Sequence, residues 1–364
     1  MTSLVLTITE TLRYRGKIGQ WAWVLHRVAG LGTLLFLILH IVDTSWATFY
    51  PELYAKAVDA YKTPLFTAGE FVLVACVVYH ALNGFRIALF DYRPQWWRRQ
   101  ADAARLVLLA TVVLLIPVFF IMAGHVVTYY NERVFGAGKT FDLGLDKVIE
   151  SQVPFAVGTV VVLGAAFVLS VVSSLVSSPK TAKKGLKKNA QQKFIWRFMR
   201  ISGVLIIPLV FGHLAMVHVI NGVFDITKVG HTPLFTNLGP NMVQGVMEHP
   251  ELLGTPVTTA SNFVAMRWNT MLAGVYIWRV YDILLLALVV THGFNGLRYV
   301  INDYFRNGIV NRTLQIAGFG TMIGLIIVGG LAILQTVPAT TEKMLNARAA
   351  TTQVVTAEGQ TKTR

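Results

Sequence analysis

Four histidines in apolar parts of the chain occupy positions that an internal repeat matches. Residues 80–92 and 292–304 share His, Asn, Gly, Arg, Asp and Tyr in the same order and at the same internal spacing. An Arg-x-x-Gly motif followed by a histidine recurs in the same way at 27–40 and 200–213. Histidine is costly in an apolar setting and usually has a partner there. The repeat therefore predicts two matched pairs of functional histidines.

Paired imidazoles that face one another across a helical bundle can serve as the two axial ligands of a haem iron. Two-fold symmetry between the repeats would set His80 opposite His292, and His40 opposite His213. By helix rise, the first pair lies ~16 Å from the inner ends of its helices and the second ~28 Å, which would separate the irons by roughly 12 Å or more. A hydrogen bond between helices explains any single histidine equally well. The matched set favours two haems, with one haem as the alternative if His40 and His213 are structural.

Arginines lie near the inner ends of the same helices. They stand in the first turns of one helix of each repeat and near the end of the next helix: Arg27, Arg200, Arg86 and Arg298. Because arginine binds carboxylates bidentately, these residues are candidates to hold haem propionates. The general enrichment of basic residues at the inner face of a membrane explains them as well.

The composition predicts a membrane protein. Of 364 residues, 54% are apolar and 14% are charged, and the mean hydropathy is +0.56, whereas soluble domains are about one quarter charged. Cys76 is the one cysteine, which excludes a disulfide framework and the Cys-x-x-Cys-His attachment of c-type haem. The net charge of +14 does not predict binding to nucleic acid, because basic residues collect in the inner loops of membrane proteins.

Apolar segments long enough to cross a bilayer as helices recur along the chain. They lie at about 21–46, 65–91, 104–130, 154–178, 194–223, 270–301 and 313–337. We predict an all-α integral membrane protein of about seven transmembrane helices with a four-helix haem-binding core. Residues 1–130 and 194–337 would form two three-helix units, 131–193 a linking helix with a basic inner loop, and 338–364 a disordered tail. The linking helix makes the two units parallel.

Basic residues are distributed unequally between the predicted loops. The loops predicted inside carry 14 Lys and Arg residues, and those predicted outside carry seven over a greater length. The positive-inside rule then predicts a multi-pass protein of the cell (inner) membrane, with a cytoplasmic N-terminus and an outer C-terminus.

The motifs His26-Arg27-x-x-Gly and His80-x-x-x-Gly-x-Arg-x-x-x-x-Asp resemble those of the membrane anchor of succinate dehydrogenase and fumarate reductase, the cytochrome b subunits of respiratory complex II. The resemblance covers nearly all of residues 15–337. In one branch of that family, two separate three-helix chains share one haem b. In the other branch, one chain holds two haems with four histidines. This sequence resembles a fusion of two three-helix chains that carries all four histidines and an additional linking helix.

The resemblance implies a chain that anchors a flavoprotein and an iron–sulfur subunit at the inner face of the lipid membrane. It implies electron transfer between iron–sulfur clusters and a quinone through haem b, with no succinate chemistry in this chain. It also implies His26, Arg27, Asp303 and Tyr304 as quinone-binding residues, with His26 also a candidate for cofactor binding. The chain departs from the two-chain branch at Trp23, where that branch carries a serine linked to quinone binding.

Two other functions remain open on the sequence. One is a di-haem cytochrome b of another quinone-linked dehydrogenase, such as a hydrogenase or formate dehydrogenase. The other is a transporter with parallel repeats, whose histidines would relay protons. The sequence gives such a transporter no obvious acidic group to relay protons, because Asp43, Glu70 and Asp282 lie near the outer ends of their segments. An absorption spectrum separates haem protein from transporter, and co-purified flavin separates the two redox functions.

Overall fold

The structure is a computed structural model. It describes residues 16–50, 53–54, 57, 60–61, 63–136, 138, 142–176, 190–214, 268 and 271–335. The predicted disordered tail at 338–364 and most of the predicted basic inner loop lie outside these residues.

Seven helices of the described part of the chain are long and apolar enough to cross a membrane. They are α1 (Ile18–Phe49), α2 (Pro64–Tyr92), α3 (Gln100–Tyr129), α4 (Leu145–Val176), α5 (Ala190–Leu214), α6 (Ile277–Tyr304) and α7 (Gly308–Leu334). Each exceeds the ~20 residues that a bilayer crossing needs. The predicted class, an all-α integral membrane protein of seven transmembrane helices, is confirmed.

Two helix boundaries differ from the apolar segments that predicted them. Helix α4 begins at Leu145, well before the predicted segment, because a helix can continue through polar residues outside the apolar run. Helix α6 begins at Ile277, because a two-stranded hairpin precedes it: β1 (Met271–Leu272) pairs antiparallel with β2 (Val275–Tyr276). Both residues of its two-residue turn have positive φ, as a type I′ hairpin requires.

The chain divides into two compact units. The first comprises Met1–Leu39, Lys62–Pro208 and Ala287–Ile326, and the second comprises His40–Tyr61, Leu209–Leu286 and Ile327–Arg364. Each unit takes segments from both predicted repeats, so these boundaries do not coincide with those predicted from the sequence. The division into two three-helix units and a linking helix stays a prediction.

In the first unit, small residues on α1 let α2 pack closely against it. Ala22 and Ala29 are buried, and Tyr79 packs on Ala29. The Tyr79 hydroxyl and the Asn83 amide both donate to the Ala22 carbonyl, at 3.1 and 3.3 Å. Small residues and interhelical hydrogen bonds are the main devices that hold helices together in lipid. This contact positions the part of α2 that carries His80.

Helix α4 packs on α7 in the first unit through small residues. Ala166 and Ser170 are buried, the Ser170 hydroxyl lies 3.5 Å from the Ile309 carbonyl, and Arg312 donates to Ser173 at 3.3 Å. Most large apolar side chains of α4 are exposed, which suits a helix that faces lipid.

The second unit is held by contacts among the remaining segments of α1, α6 and α7. The Thr48 hydroxyl donates to the Ala332 carbonyl at 3.1 Å. A Cβ at Gly329 would lie 3.1 Å from both Ile41 and Leu286, so the glycine permits this close approach. The arrangement fixes the segment of α1 that carries His40.

Candidate functional site

His80 of α2 and His292 of α6 face each other in the first unit. Their ring centroids are 6.5 Å apart and their planes are nearly perpendicular, at 87°. A metal bonded at about 2.0–2.1 Å to one nitrogen of each ring requires centroids about 6 Å apart. The predicted pairing across the repeat is therefore present, with a spacing that suits one shared metal atom.

The His80 ring is held through one of its nitrogens. Nδ1 lies 3.0 Å from the His26 carbonyl, and because a carbonyl can only accept, Nδ1 carries the proton in this contact. The ring lies over Gly30, where a Cβ would come within 2.8 Å of Cε1. Nε2 is therefore the deprotonated nitrogen, which is the state that binds metal.

His292 is held in the same way by a different partner. Its Nδ1 lies 2.9 Å from the Ser202 hydroxyl, and that hydroxyl donates its one proton to the Phe198 carbonyl at 2.6 Å. Ser202 therefore accepts from Nδ1–H, which leaves Nε2 of His292 free of its proton. The ring lies over Gly203, where a Cβ would be 3.2 Å from Cε1. The two repeats thus present equivalent nitrogens.

His26 contributes a second imidazole beside His80. The two rings stack at 4.0 Å with an angle of 6° between their planes, and the Nδ1 atom of His26 is buried without a hydrogen-bond partner. The stack restricts the plane of His80, and the unpartnered nitrogen can still meet a polar group of a bound ligand.

Two ion pairs join the repeats in the first unit. Arg27 of α1 pairs with Asp303 of α6 at 2.5 Å, and Arg200 of α5 pairs with Asp91 of α2 at 3.0 Å. Each arginine therefore binds the aspartate of the other repeat. These arginines, predicted to bind haem propionates, already have a carboxylate partner, and Asp303, predicted to bind quinone, already has an arginine partner.

Arg27 lies among the residues that were predicted to bind quinone. Its guanidinium lies 3.9 Å from the centroid of the Trp23 ring and 5.8 Å from that of Tyr304. Its Nη1 atom is buried without a hydrogen-bond partner, although Nη2 binds Asp303. The structure thus gathers Arg27, Asp303 and Tyr304 and leaves one buried donor among them.

The remaining two arginines differ in their surroundings. Arg86 is buried and donates to Asn83 at 2.9 Å and to the Gln100 carbonyl at 3.3 Å. At the matching positions of the other repeat, Nε of Arg298 and Nδ2 of Asn295 are buried and have no hydrogen-bond partner. Unpaired buried donors are costly, so Arg298 rather than Arg86 has the capacity to bind an added acceptor.

His40 and His213 face each other in the second unit, with ring centroids 6.0 Å apart and planes at 83°. This spacing also suits one metal atom between two imidazoles. The Oδ1 atom of Asp282 lies 3.6 Å from Nδ1 of His213, and its Oδ2 atom accepts a hydrogen bond from the Trp268 indole at 2.8 Å. The second predicted pair is therefore formed, and it has an acidic neighbour.

A further acidic group lies in the second unit. Asp43 is buried and its Oδ1 atom has no hydrogen-bond partner. Burial and, to a smaller extent, the neighbouring Asp43 raise the pKa of Tyr54 from its ordinary value to about 12.

The donor sets fit a metal that brings its own macrocycle. Among the residues that the structure describes, no group of three or more His, Cys, Asp or Glu side chains could hold a metal ion. Two facing histidines suffice for haem iron, since the porphyrin supplies the other four ligands. Each pair also meets the spacing and, in the first unit, the tautomer that axial ligation needs.

Several residues of these sites were not predicted as site residues from the sequence. Ser202 has alanine at the matching position of the first repeat, so the repeat gave no signal for it. Trp196 occupies the position that matches Trp23, and it stacks on Arg200 at 4.4 Å as Trp23 does on Arg27. Asp282 likewise occupies the position that matches Glu70. The repeat could have identified the tryptophan and acidic pairs.

Comparison with known proteins gives matches that each cover part of the chain. Residues 8–121 match the family described as succinate dehydrogenase/fumarate reductase transmembrane subunit. The chain is 32% identical over 118 residues to the succinate dehydrogenase 2 membrane subunit SdhC of Mycobacterium tuberculosis, covering 32% of this chain and 87% of that protein. It is 29% identical over 99 residues to the succinate dehydrogenase hydrophobic membrane anchor subunit of Archaeoglobus fulgidus, covering 27% and 81%. No solved structure matches.

Proposed function

We propose that this chain, which belongs to the family of succinate dehydrogenase and fumarate reductase transmembrane subunits, is the cytochrome b anchor of a succinate:quinone oxidoreductase. The observation that carries the proposal is the facing pair of His80 and His292, whose Nδ1 atoms are both engaged and whose Nε2 atoms are left for a metal. Haem b, when bound, carries single electrons between an iron–sulfur subunit and a quinone.

The chain holds the macrocycle through residues of both repeats. His80 and His292 would hold the haem iron, and the absence of a Cβ at Gly30 and Gly203 leaves room for their rings. Arg298 and Asn295 have buried donors without acceptors, and they are the residues that we assign to a propionate. Arg86 donates to acceptors within the protein, and through these contacts it stabilises the end of α2.

Quinone binds beside Arg27. The unpaired Nη1 of Arg27 donates to a quinone carbonyl oxygen, and Asp303 holds the guanidinium in place through Nη2. Trp23 covers one face of the guanidinium, which excludes water and strengthens the remaining hydrogen bond. Tyr304 and His26 are the neighbouring polar groups suited to the second contact and to proton transfer.

Docking of a flavoprotein and an iron–sulfur subunit completes the proposed complex. The predicted inside-facing loops carry 14 Lys and Arg residues against seven in the predicted outside-facing loops, so we place the N-terminus in the cytoplasm and the partners on that side. Each alignment covers more than four fifths of a relative but about a third or less of this chain. That difference in length supports two fused units in one polypeptide.

Purification of the tagged chain from its own membrane tests this function. We expect a flavin-containing subunit and an iron–sulfur subunit in equal amounts with the chain, and a b-type spectrum that succinate reduces. A complex with His80→Leu should lose a low-spin haem signal, whereas His125→Leu, at an exposed position of α3, should keep it. A chain that purifies without flavin and with no haem would contradict the proposal.

A further inference from the structure

We infer that Asp282 is a positioning residue for His213, and that it sets the reduction potential of a haem bound between His40 and His213. The inference rests on the proposed function, because it requires a haem at the second histidine pair. It adds a residue that neither the family resemblance nor the repeat assigned to this site. The resulting carboxylate–histidine–iron arrangement distinguishes this pair from the one in the first unit.

The geometry places one carboxylate oxygen at the outer nitrogen of His213. Nδ1 of His213 is buried and has no hydrogen-bond partner, and Oδ1 of Asp282 is 3.6 Å away. That separation is longer than a hydrogen bond and within the ~4 Å limit of an ion pair. If Nε2 of His213 ligates iron, Nδ1 carries the proton and needs an acceptor, and Oδ1 of Asp282 is the carboxylate oxygen that faces it.

Asp282 is itself held in place for this task. It is buried, and its other oxygen accepts a hydrogen bond from the buried indole of Trp268 at 2.8 Å. The Trp268 carbonyl in turn accepts from Arg279 at 2.9 Å, and Arg279 also donates to the Leu334 carbonyl at 3.0 Å. This chain of contacts fixes the carboxylate so that Oδ1 faces the histidine.

The first unit gives its histidines uncharged partners. Nδ1 of His80 faces a backbone carbonyl, and Nδ1 of His292 faces the Ser202 hydroxyl. A carboxylate acceptor polarises Nδ1–H more strongly and raises the basicity of the ligating nitrogen, which favours ferric over ferrous iron. The haem at His213 should therefore have the lower reduction potential of the two.

Potentiometric titration of the purified complex tests this assignment. We expect two haem transitions in the parent, and Asp282→Asn, which keeps the size of the side chain, should shift the lower one to a higher potential. Trp268→Phe removes the donor that orients Asp282 and should shift the same transition in the same direction by less. If Asp282→Asn loses the haem at His213, the shift produced by Trp268→Phe decides the assignment, and an unchanged potential in Trp268→Phe would then contradict it.

Two matched variants make the result specific. Ser202→Ala should alter the higher transition alone, and Glu70→Gln, at the repeat-matched acidic position in the other compact unit, should alter neither. Parental potentials for both haems in Asp282→Asn, or an equal shift from Glu70→Gln, would overturn the inference while leaving the proposed function intact. A single haem in the parent would overturn the inference together with the second haem.

Discussion

The histidines that the repeat matches differ in the groups that face their Nδ1 atoms. His80 donates to a backbone carbonyl, His292 donates to a serine hydroxyl, and His213 faces a carboxylate. Two of these partners are neutral and the third is an acidic group. If these histidines ligate haem iron as proposed, their different partners would give the two irons different electronic properties.

Gly30 is the residue whose substitution should most directly disturb the first histidine pair. In Gly30→Ala, the new Cβ would lie 2.8 Å from Cε1 and 3.0 Å from Nδ1 of His80, so the ring must move away from the His26 carbonyl. We expect a loss of low-spin haem and a fall in the free energy of unfolding of about 1–3 kcal/mol, which is typical of overpacking.

Haem content and thermal unfolding of purified variants measure this effect. Gly203→Ala should be milder, because its Cβ would be 3.2 Å from Cε1 of His292, and Gly164→Ala, with nothing within 4 Å, should be neutral. Equal haem content and equal thermal stability in all three variants would show that these glycines affect helix formation and do not act by leaving room for the histidine rings.

At the scale of the helices, the hydropathy of the sequence predicted the membrane-spanning helices but not the structure outside the apolar segments. It identified all seven helices because each contains an apolar stretch of membrane length. It misplaced the start of α4, since the polar residues Asp146, Lys147 and Glu150 extend that helix beyond the apolar run. It also missed the hairpin before α6, whose turn at Ala273 and Gly274 is set by local backbone geometry.

The pairing of the four matched histidines followed from the repeat, whereas their polar partners did not. Symmetry predicts which positions face one another, so His80 with His292 was accessible from the sequence. Ser202 and Asp282 act through contacts between helices distant in sequence, and the residue matching Ser202 is an alanine. The crossed pairing of the arginines with the aspartates of the opposite repeat likewise depends on how the helices pack.

The ion pair between Arg200 and Asp91 offers a test of that packing. Arg200→Asp should weaken the contact of α5 with α2, and Arg200→Asp combined with Asp91→Arg should recover part of the loss. Because the two side chains are 36% and 22% exposed, we expect a coupling of no more than about 1 kcal/mol, as for other partly exposed pairs.

A double-mutant cycle on the thermal unfolding midpoint measures this coupling. Arg105 and Asp102 form a more exposed pair within α3, and the same reversal there should leave contacts between helices unchanged. Additive effects of the two substitutions at Arg200 and Asp91 would show that the two charges do not interact.

At the scale of the whole molecule, the excess length over the relatives is the main feature to explain. The matches to relatives cover about a third or less of the chain, yet they span most of those proteins. The internal repeat supplies a second set of the same histidine, arginine and aspartate motifs. A fused pair of units would fix the ratio of the two halves and place both histidine ligands of each haem in one polypeptide.

Parallel fusion makes a prediction about topology. Seven crossings with a cytoplasmic N-terminus put the C-terminus outside, and the excess of basic residues in the predicted inner loops supports that orientation. A reporter fused after Thr340 should therefore be active outside the cytoplasm, and one fused after Lys184 should be active inside. Cytoplasmic activity of the Thr340 fusion would mean that one helix does not cross, and the two units would then not be parallel.

The number of haems per polypeptide is the sharpest test at this scale. Each compact unit contains one facing histidine pair, with centroids 6.5 Å apart in the first and 6.0 Å apart in the second. Since one iron can satisfy two buried imidazoles at once, we expect about two haems per chain in a pyridine haemochrome assay. His213→Leu should lower the ratio to about one and keep the haem at His80, whereas His125→Leu should leave it at about two. A ratio near one in the parent that His213→Leu does not change would make His40 and His213 structural residues, with Asp282 as the polar partner that makes their burial tolerable.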